Sequence, residues 1–210
     1  MLQLQTVTPN TLELLKEISS KPEMQDFRLV GGTALALQYG HRQSVDLDFF
    51  GKPTVPQDDI IDRLSSLGSI VVHNRTDKIL QVVLRGIKVD VIDYSRYPWI
   101  DEPVMEDNLT LASPKDIAAM KINAVEGRGS RKDFIDIYML LQHYTLSELL
   151  DFYVKKYPNH SLFRALLSLT YFDDAEIQAM PKMFIRQTWD EMKSYISNKI
   201  KEYNSQPPII

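Results

Sequence analysis

The sequence predicts an α/β domain followed by a helical C-terminal part. Short runs rich in β-branched and aromatic residues alternate with helical segments up to about residue 94. Beyond residue 111, apolar residues recur with the spacing of amphipathic helices. The 210 residues are enough to bury one α/β core and a helical extension.

The composition excludes several classes of function. The chain has no cysteine, which rules out disulfides, thiolate metal sites and thiol nucleophiles. Its net charge of −4 argues against a protein that coats nucleic acid, although an enzyme could still grip one RNA end through a local basic patch. The N-terminus has no signal-peptide pattern, and no apolar run could span a bilayer. We therefore expect a cytoplasmic protein with no membrane partner.

The first predicted strand leads into two glycines. This strand covers Phe27–Val30 and is followed by Gly31, Gly32 and a helix that continues to Leu37. We expect Thr33 to cap this helix. Without a Cβ at the turn, backbone amides can approach a ligand closely, and amides at a helix start favour phosphate. The pattern therefore predicts a phosphate cradle.

The second predicted strand, Val45–Phe49, carries two carboxylates. Side chains alternate across a strand, so Asp46 and Asp48 share one face. Adjacent carboxylates repel each other unless a divalent cation lies between them. A lone Gly-Gly is usually a turn and a lone Asp-x-Asp a solvated strand edge. Together and in this order, they indicate a phosphate cradle followed by a metal-binding carboxylate pair.

A third carboxylate lies in a later strand. The predicted elements here are a helix over Gln57–Leu67 and strands over Ser69–His73, Ile79–Leu84 and Ile87–Tyr94. In the last strand Lys88, Asp90 and Ile92 share one face. A carboxylate in an apolar strand is expensive unless it is paired or binds a metal, which makes Asp90 the third candidate ligand. Asp93, on the opposite face at the strand end, is the competing candidate.

The predicted domain boundary lies between residues 95 and 110. This stretch contains Pro98, Pro103 and several acids without periodicity, which indicates a loop or linker. We therefore expect an α/β domain over residues 1–110 and a helical domain over residues 111–210. The other predicted helices cover residues 9–18, 114–126, 131–144, 146–156, 161–170 and 181–201, and residues 203–210 are expected to form a frayed tail.

A second group of polar residues lies on two of these helices. Lys121 shares a helix face with apolar residues such as Ile117 and Val125. A lysine there either extends to the surface or is aimed at a buried anion. On the next helix Asp133 and Asp136 share a face, where they could cap the helix start or pair with a basic group.

These motifs resemble a known family. The run from Leu29 to Phe50 resembles the DNA polymerase β superfamily signature of Gly-Gly/Ser, a short helix and Asp-x-Asp, and within it the nucleotidyl transferase AbiEii/AbiGii toxin family. The family also shows a Lys on one helix, then Arg-Lys/Arg-Asp-x-x-Asp-hydrophobic-Tyr on the next, as Lys121 and Arg131 to Tyr138 do here. The resemblance implies an α/β (α+β) nucleotidyltransferase fold, with a mixed β-sheet and flanking helices before the helical part.

The implied activity transfers a nucleoside monophosphate from a nucleoside triphosphate to an acceptor hydroxyl and releases pyrophosphate. Two Mg²⁺ ions would be held by three carboxylates, and no side-chain nucleophile is expected. Lys121 would hold the triphosphate, and Asp133, in preference to Asp136, would orient it or the attacking group. The predicted metal ligands are Asp46, Asp48 and Asp90, and the predicted catalytic residues are these three with Lys121 and Asp133.

The glycine turn would cradle the phosphates. Arg42 and Ser44, just ahead of the carboxylates, would either bind phosphate oxygens or position the carboxylate strand. The predicted nucleotide-binding residues are Gly31, Gly32, Thr33, Arg42, Ser44, Lys121 and Arg131.

The family further implies the toxin of a toxin–antitoxin pair, with RNA such as tRNA as acceptor and a cognate antitoxin as partner. One alternative is a small-molecule nucleotidyltransferase of the antibiotic-modifying kind. Another is a non-catalytic nucleotide-binding module, against which the three carboxylates and Lys121 argue. A basic groove beside the site would favour RNA, whereas a closed, acidic pocket would favour an aminoglycoside.

Overall fold

The computed structural model describes residues 1–205, which fall into two compact units. The first unit comprises Met1–Pro98 and Glu102–Ser113, and the second comprises Trp99–Asp101 and the chain from Pro114 onward. In the described chain, no helix combines the length and the apolar character needed to cross a membrane.

The first unit alternates helices and strands. Its helices are α1 (Pro9–Ser19), α2 (Gly31–Tyr39) and α3 (Gln57–Ser65). Its strands are β1 (Phe27–Val30), β2 (Leu47–Gly51), β3 (Ile70–Arg75), β4 (Ile79–Leu84), β5 (Ile87–Asp93), β6 (Val104–Glu106) and β7 (Leu109–Leu111).

The strands form one mixed sheet in the order β3-β4-β5-β2-β1-β7-β6. The pairs β2–β5 and β1–β7 are parallel, and the other neighbours are antiparallel. The predicted α/β fold with a mixed sheet and a helical C-terminal part is thereby confirmed. Parallel neighbours need a long crossover between them, and α3 with the β3–β4 hairpin provides the one from β2 to β5.

The register of β2 on β5 places the polar residues of the two strands together. Leu47 lies opposite Val89 and Phe49 opposite Val91, and all four are buried. The alternation predicted from sequence is therefore present from Leu47 onward. The predicted start of the strand is wrong by two residues: Val45 and Asp46 precede β2, and Val45 is exposed.

The stretch expected to be a loop between residues 95 and 110 contains a β-hairpin. Strand β6 pairs with β7 through a tight turn at Asp107 and Asn108, both of which have positive φ. Asp and Asn adopt that conformation readily, and it matches the twist of a two-residue hairpin. Leu109 and Leu111 are buried, and Leu111 pairs with Leu29 of β1. The acidic residues around these short strands left no alternating pattern, so the sequence did not indicate them.

The second unit is helical in the described residues. Its helices are α4 (Pro114–Gly127), α5 (Arg131–Leu140), α6 (Leu146–Lys156), α7 (Leu162–Ser168), α8 (Asp173–Glu176) and α9 (Trp189–Ser205). Helix α4 packs against both α5 and α6, and α5 packs against α9. The ring of Phe134 lies 4.8 Å from that of Phe172 and 6.2 Å from that of Trp189, forming an aromatic centre.

The predicted start of the last helix, at residue 181, is wrong. Helix α9 begins at Trp189, where Thr188 and Glu191 form a reciprocal pair of hydrogen bonds. This Thr-x-x-Glu capping box was present in the sequence, and it stops the helix from extending backwards. Helix α5 also ends earlier than predicted, at Leu140. Helix α9 continues to Ser205, so the frayed tail expected from residue 203 is wrong for residues 203–205, and residues 206–210 lie outside the described chain.

A buried ion pair attaches the Trp99–Asp101 segment to the helical unit. Lys156 and Asp116 are fully buried with 2.7 Å between Nζ and Oδ1. The Asp116 carboxylate also accepts the backbone N–H of Ile100 at 2.8 Å. The Lys156 ammonium lies 4.7 Å from the ring centre of Trp99. The Trp99–Asp101 segment therefore packs within the second unit, although in sequence it lies between β5 and β6 of the first.

Removal of one charge from this pair should be strongly destabilising. We expect Asp116→Asn to lower the free energy of unfolding by about 3–5 kcal/mol, because the buried Lys156 ammonium would lose the carboxylate charge beside it. Lys199→Ala is the matched control, since it breaks the solvent-exposed pair Lys199–Glu202 and should cost less than about 1 kcal/mol. Urea unfolding of both variants measures the difference, and equal losses would contradict the buried-pair account.

Candidate functional site

Two of the predicted carboxylates lie side by side in the sheet. Asp48 of β2 and Asp90 of β5 are register partners on adjacent parallel strands, so both side chains project from the same face. Asp90 is buried, with 6% of its surface exposed, and Asp48 is half-buried. Asp46 lies just before β2, two residues from Asp48.

The Asp90 carboxylate is only partly satisfied. Its Oδ2 accepts hydrogen bonds from Gln81 Nε2 and Lys88 Nζ, each at 2.9 Å. Its Oδ1 is buried without a hydrogen-bond partner. A bare carboxylate oxygen in the interior is costly, and such an atom suits a bound cation or water. This oxygen, next to Asp48, fits the chemistry predicted for a metal site.

Lys88 is a basic neighbour of this group that the sequence argument left without a role. Burial lowers the pKa of Lys88, but the hydrogen bond to Asp90 and the charges of Asp90, Asp48 and Asp46 outweigh that effect and raise it overall. The ammonium thus lies in the negative field of all three carboxylates. Its position two residues before Asp90 on the same strand face was the signal that could have revealed it.

The predicted metal ligands do not form a ready-made ligand cluster. Within residues 1–205, no group of three or more Asp, Glu, His or Cys side chains could hold a metal ion in its present arrangement. Asp46 lies in irregular chain just before β2, whereas the backbones of Asp48 and Asp90 are held in place by strand pairing in the sheet. The assignment of metal ligands stays a prediction, supported by the unpartnered oxygen of Asp90.

The glycine turn lies directly against the carboxylates. Gly31 has φ of +68°, and a Cβ there would clash with the Asp48 carboxylate. A Cβ on Gly32 would clash with the guanidinium of Arg42. Helix α2 begins at Gly31 itself, so the first amides of the helix belong to the two glycines. Positive φ and the nearby Asp48 carboxylate therefore favour glycine at Gly31, while the phosphate cradle itself stays a prediction.

The predicted helix cap at Thr33 is wrong. Val30 is the cap residue and makes no side-chain capping bond. Thr33 is instead buried inside α2, where its hydroxyl donates to the backbone carbonyl of Asp46 and lies 2.9 Å from Ser44 Oγ. Thr33 therefore fastens the segment that carries the first carboxylate.

Arg42 and Ser44 are both buried in that segment. The Ser44 N–H donates to the Thr6 carbonyl at 2.8 Å, and Arg42 Nη1 donates to the Gln43 carbonyl at 3.0 Å. Of the two roles considered, the described contacts are those of residues that position the carboxylate strand. Phosphate binding by either side chain stays a prediction.

A substitution at the turn tests its tight geometry. We expect Gly31→Ala to lower the free energy of unfolding by at least about 1–2 kcal/mol, because a Cβ disfavours positive φ and would also meet Asp48. Gly127→Ala is the control, since nothing lies within 4 Å of the position that its methyl group would occupy, and alanine favours a helix. Thermal or urea unfolding provides the measurement. A Gly31→Ala protein as stable as the parent would contradict the close approach.

Within the helical unit, the second predicted group is a buried charge network. Lys121 Nζ lies 2.8 Å from Asp133 Oδ1 and 2.6 Å from Asp136 Oδ2, and all three side chains are buried. Lys121 therefore points at buried anions rather than extending to the surface, and those anions are carboxylates of its own chain. Both acids contact it, so the choice between Asp133 and Asp136 as the functional acid stays open.

Asp133 has further partners. Arg128 donates to both of its oxygens, at 2.8 and 3.1 Å, and Ser130 Oγ donates at 2.5 Å. Burial acts to raise the pKa of Asp133, but the charges and hydrogen bonds of Lys121 and Arg128 hold it well below its usual range. Asp133 is therefore a carboxylate held in its charged form.

The Arg131 side chain makes hydrogen bonds and a ring contact within the helical unit. Its guanidinium donates to the carbonyls of Ala175 and Glu176, at 2.9 and 2.7 Å, and lies 5.0 Å from the ring centre of Trp189. These contacts tie α5 to α8 and α9. They favour a structural role over the phosphate binding predicted for Arg131.

The charged state of Asp133 should make stability pH-dependent. Its folded pKa is depressed, so the unfolded chain takes up a proton first, and the stabilisation is lost as the pH falls below about 4. We expect Asp133→Asn to reduce the free energy of unfolding by about 3 kcal/mol above about pH 5, and by progressively less below about pH 4. Urea unfolding from pH 7 to pH 3 measures this gap. A gap that widened toward low pH would contradict the assignment.

The chain is similar to known proteins over most of its length. The profile of a family described as nucleotidyl transferase AbiEii toxin, type IV TA system, matches residues 13–202. A protein of Aquifex aeolicus (strain VF5), named uncharacterized protein aq_aa25, is 38% identical over 200 residues, which make up 91% of this chain and 94% of that protein.

Solved structures share the fold. MenT4, a nucleotidyltransferase toxin from Mycobacterium tuberculosis H37Rv, has a TM-score of 0.61 at 15% identity, covering 93% of this chain and 82% of its own. The antibiotic-resistance factor ANT(2″)-Ia has a TM-score of 0.55 at 12% identity, covering 69% of this chain and 90% of its own. At such identities the likeness shows the fold alone, and that fold is the predicted nucleotidyltransferase fold.

Proposed function

Because the chain belongs to the nucleotidyl transferase AbiEii toxin family, we propose that it transfers a nucleoside monophosphate from a nucleoside triphosphate to an acceptor hydroxyl, releasing pyrophosphate. Such a reaction depends on positioning and charge neutralisation more than on a protein nucleophile. The observation that carries the proposal is the buried, unpartnered Oδ1 of Asp90 beside Asp48 on the neighbouring strand.

Carboxylate oxygens are the protein ligands that Mg²⁺ prefers, and Asp46, Asp48 and Asp90 would hold two such ions. Bound Mg²⁺ would lower the pKa of the attacking hydroxyl and neutralise charge on the triphosphate. The chain's own contribution is to orient the ligands. Gln81 holds one oxygen of Asp90 while the other keeps no hydrogen-bond partner, and Thr33 holds the backbone at Asp46.

The donor phosphates would lie at the glycine turn. The first amides of α2 have no acceptor within the helix, and Gly31 and Gly32 carry no Cβ that would keep an anion away from these amides. The positive end of the helix dipole adds to that preference. We assign the triphosphate to this turn, next to the carboxylates that would bind its metal.

Lys121 and Asp133 form the second functional group of the proposal. By family resemblance, Lys121 and Asp133 are its predicted catalytic residues. Within the helical unit the two are held rigidly by their mutual ion pair and by Arg128. The side chain of Arg128 is 60% exposed, which makes it the accessible cationic member of this network.

We propose RNA, tRNA in particular, as the acceptor and a cognate antitoxin as the partner. The toxin-family match supports the antitoxin, and the RNA acceptor is what the family resemblance implies. The net charge of −4 means that RNA would be gripped locally rather than along the whole surface.

Transfer of labelled nucleoside triphosphates into total cellular RNA tests the reaction. We expect Asp48→Asn and Asp90→Asn to reduce the rate by about two orders of magnitude or more, because each removes a ligand for the charge-neutralising metal. Asp93→Asn is the matched control: this carboxylate caps the Ser95 N–H at 3.0 Å at the end of β5 and should be dispensable for transfer.

Two results would overturn this proposal. One is full activity of the Asp48→Asn protein. The other is label transfer to an aminoglycoside but not to RNA, which would favour a small-molecule nucleotidyltransferase. Loss of activity in Asp93→Asn with retention in Asp90→Asn would move the third ligand to Asp93.

A further inference from the structure

The Lys88 ammonium lies against one of the proposed metal ligands. It precedes Asp90 by two residues on β5, and its Nζ is 2.9 Å from Asp90 Oδ2. Gln81, the register partner of Asp90 on β4, donates to the same oxygen. A carboxylate oxygen has two lone pairs, so Lys88 and Gln81 together occupy this one, while Oδ1 has no partner.

The electrostatics extend beyond this single contact. Asp48 is the register partner of Asp90 on the adjacent strand β2, and Asp46 lies two residues before Asp48. Three carboxylates close to one another are mutually repulsive, and one nearby ammonium offsets part of that repulsion. The chain therefore carries a cation of its own at the group of carboxylates that we propose to bind metal.

We propose that Lys88 is an internal counter-ion of this carboxylate group, and that a divalent cation binding there must displace its ammonium from Asp90. This inference rests on the proposed function, because that function requires the metal. The two positive charges cannot both lie against Asp90 without repelling each other. The Lys88 side chain is 48% exposed, so its flexible stem can carry the ammonium away into solvent.

Lys88 then has two opposite effects. It stabilises the metal-free protein by compensating the carboxylates, and it weakens the binding of metal by competing for Asp90. When metal binds, the Lys88 ammonium must leave Asp90. Metal binding is therefore easier when another anion is present to pair with the displaced ammonium. A donor triphosphate, which brings its own negative charge, is such a receiver.

The decisive measurement is Mn²⁺ binding in the absence of nucleotide, followed by the electron paramagnetic resonance signal of the free ion. We expect Lys88→Met to bind Mn²⁺ about tenfold more tightly than the parent, a difference of about 1.4 kcal/mol. Melting in EDTA should show Lys88→Met less stable than the parent, and Mn²⁺ should raise its melting temperature by more.

Three other variants complete the design. Lys88→Arg keeps the charge and should bind Mn²⁺ as the parent does. Lys115→Met is the matched control, because Lys115 has similar exposure, 40%, and pairs with a single carboxylate, that of Asp101, at 2.7 Å. It should leave Mn²⁺ affinity unchanged. Asp48→Asn, which removes a proposed ligand, should lose the tight binding in both the parent and the Lys88→Met background.

The outcomes separate the two proposals. Equal Mn²⁺ affinity of the parent and Lys88→Met, with binding lost in Asp48→Asn, would overturn the counter-ion inference and leave the metal site intact. Lower affinity in Lys88→Met would also overturn it. Binding that is unaffected by Asp48→Asn, or absent from every protein at millimolar Mn²⁺, would overturn the metal site and the counter-ion inference with it.

Discussion

The parallel pairing of β2 with β5 is the constraint on which the first unit depends, because it forces two carboxylates into adjacent positions. Their register is fixed from the other face of the sheet. Leu47, Phe49, Val89 and Val91 are buried there, and a slip of one residue would exchange them with the carboxylates. The apolar core thus supplies the free energy that holds two like charges together.

The two units differ in how completely their buried carboxylates are paired. In the helical unit, Asp133 and Asp136 are compensated by Lys121 and Arg128, and the network is closed by hydrogen bonds of 2.5–3.1 Å. In the sheet, the Asp90 carboxylate shares one oxygen between two donors and leaves the other without a partner. Incomplete compensation in a stable fold is typical of places where a ligand completes the arrangement.

The sequence predicted what depends on local pattern. The strand before the glycines, the alternation of β2 from Leu47 onward and the helical second half all follow from periodicity and turn residues, and the structure has them. Prediction from the sequence failed where contacts between residues distant in the chain determine a side chain's role. Thr33 looked like a helix cap but bonds to Asp46, the acidic stretch after Tyr94 hid a hairpin, and Lys121 could not be assigned a partner until Asp133 and Asp136 were seen beside it. Lys88 was visible on the right strand face, yet its ion pair with Asp90 became evident only in the structure.

Because Trp99–Asp101 packs in the helical unit, the gene cannot be divided into two continuous segments that each encode one unit. The chain leaves the first unit after Pro98, returns at Glu102, and leaves again after Ser113, so the boundary is crossed three times rather than once. No single cut in the gene separates the two units, because a fragment ending at Ser113 would carry Trp99 without the Asp116 and Lys156 that hold its segment. The second unit is therefore complete only when the gene carries both Trp99–Asp101 and the helices that follow Ser113.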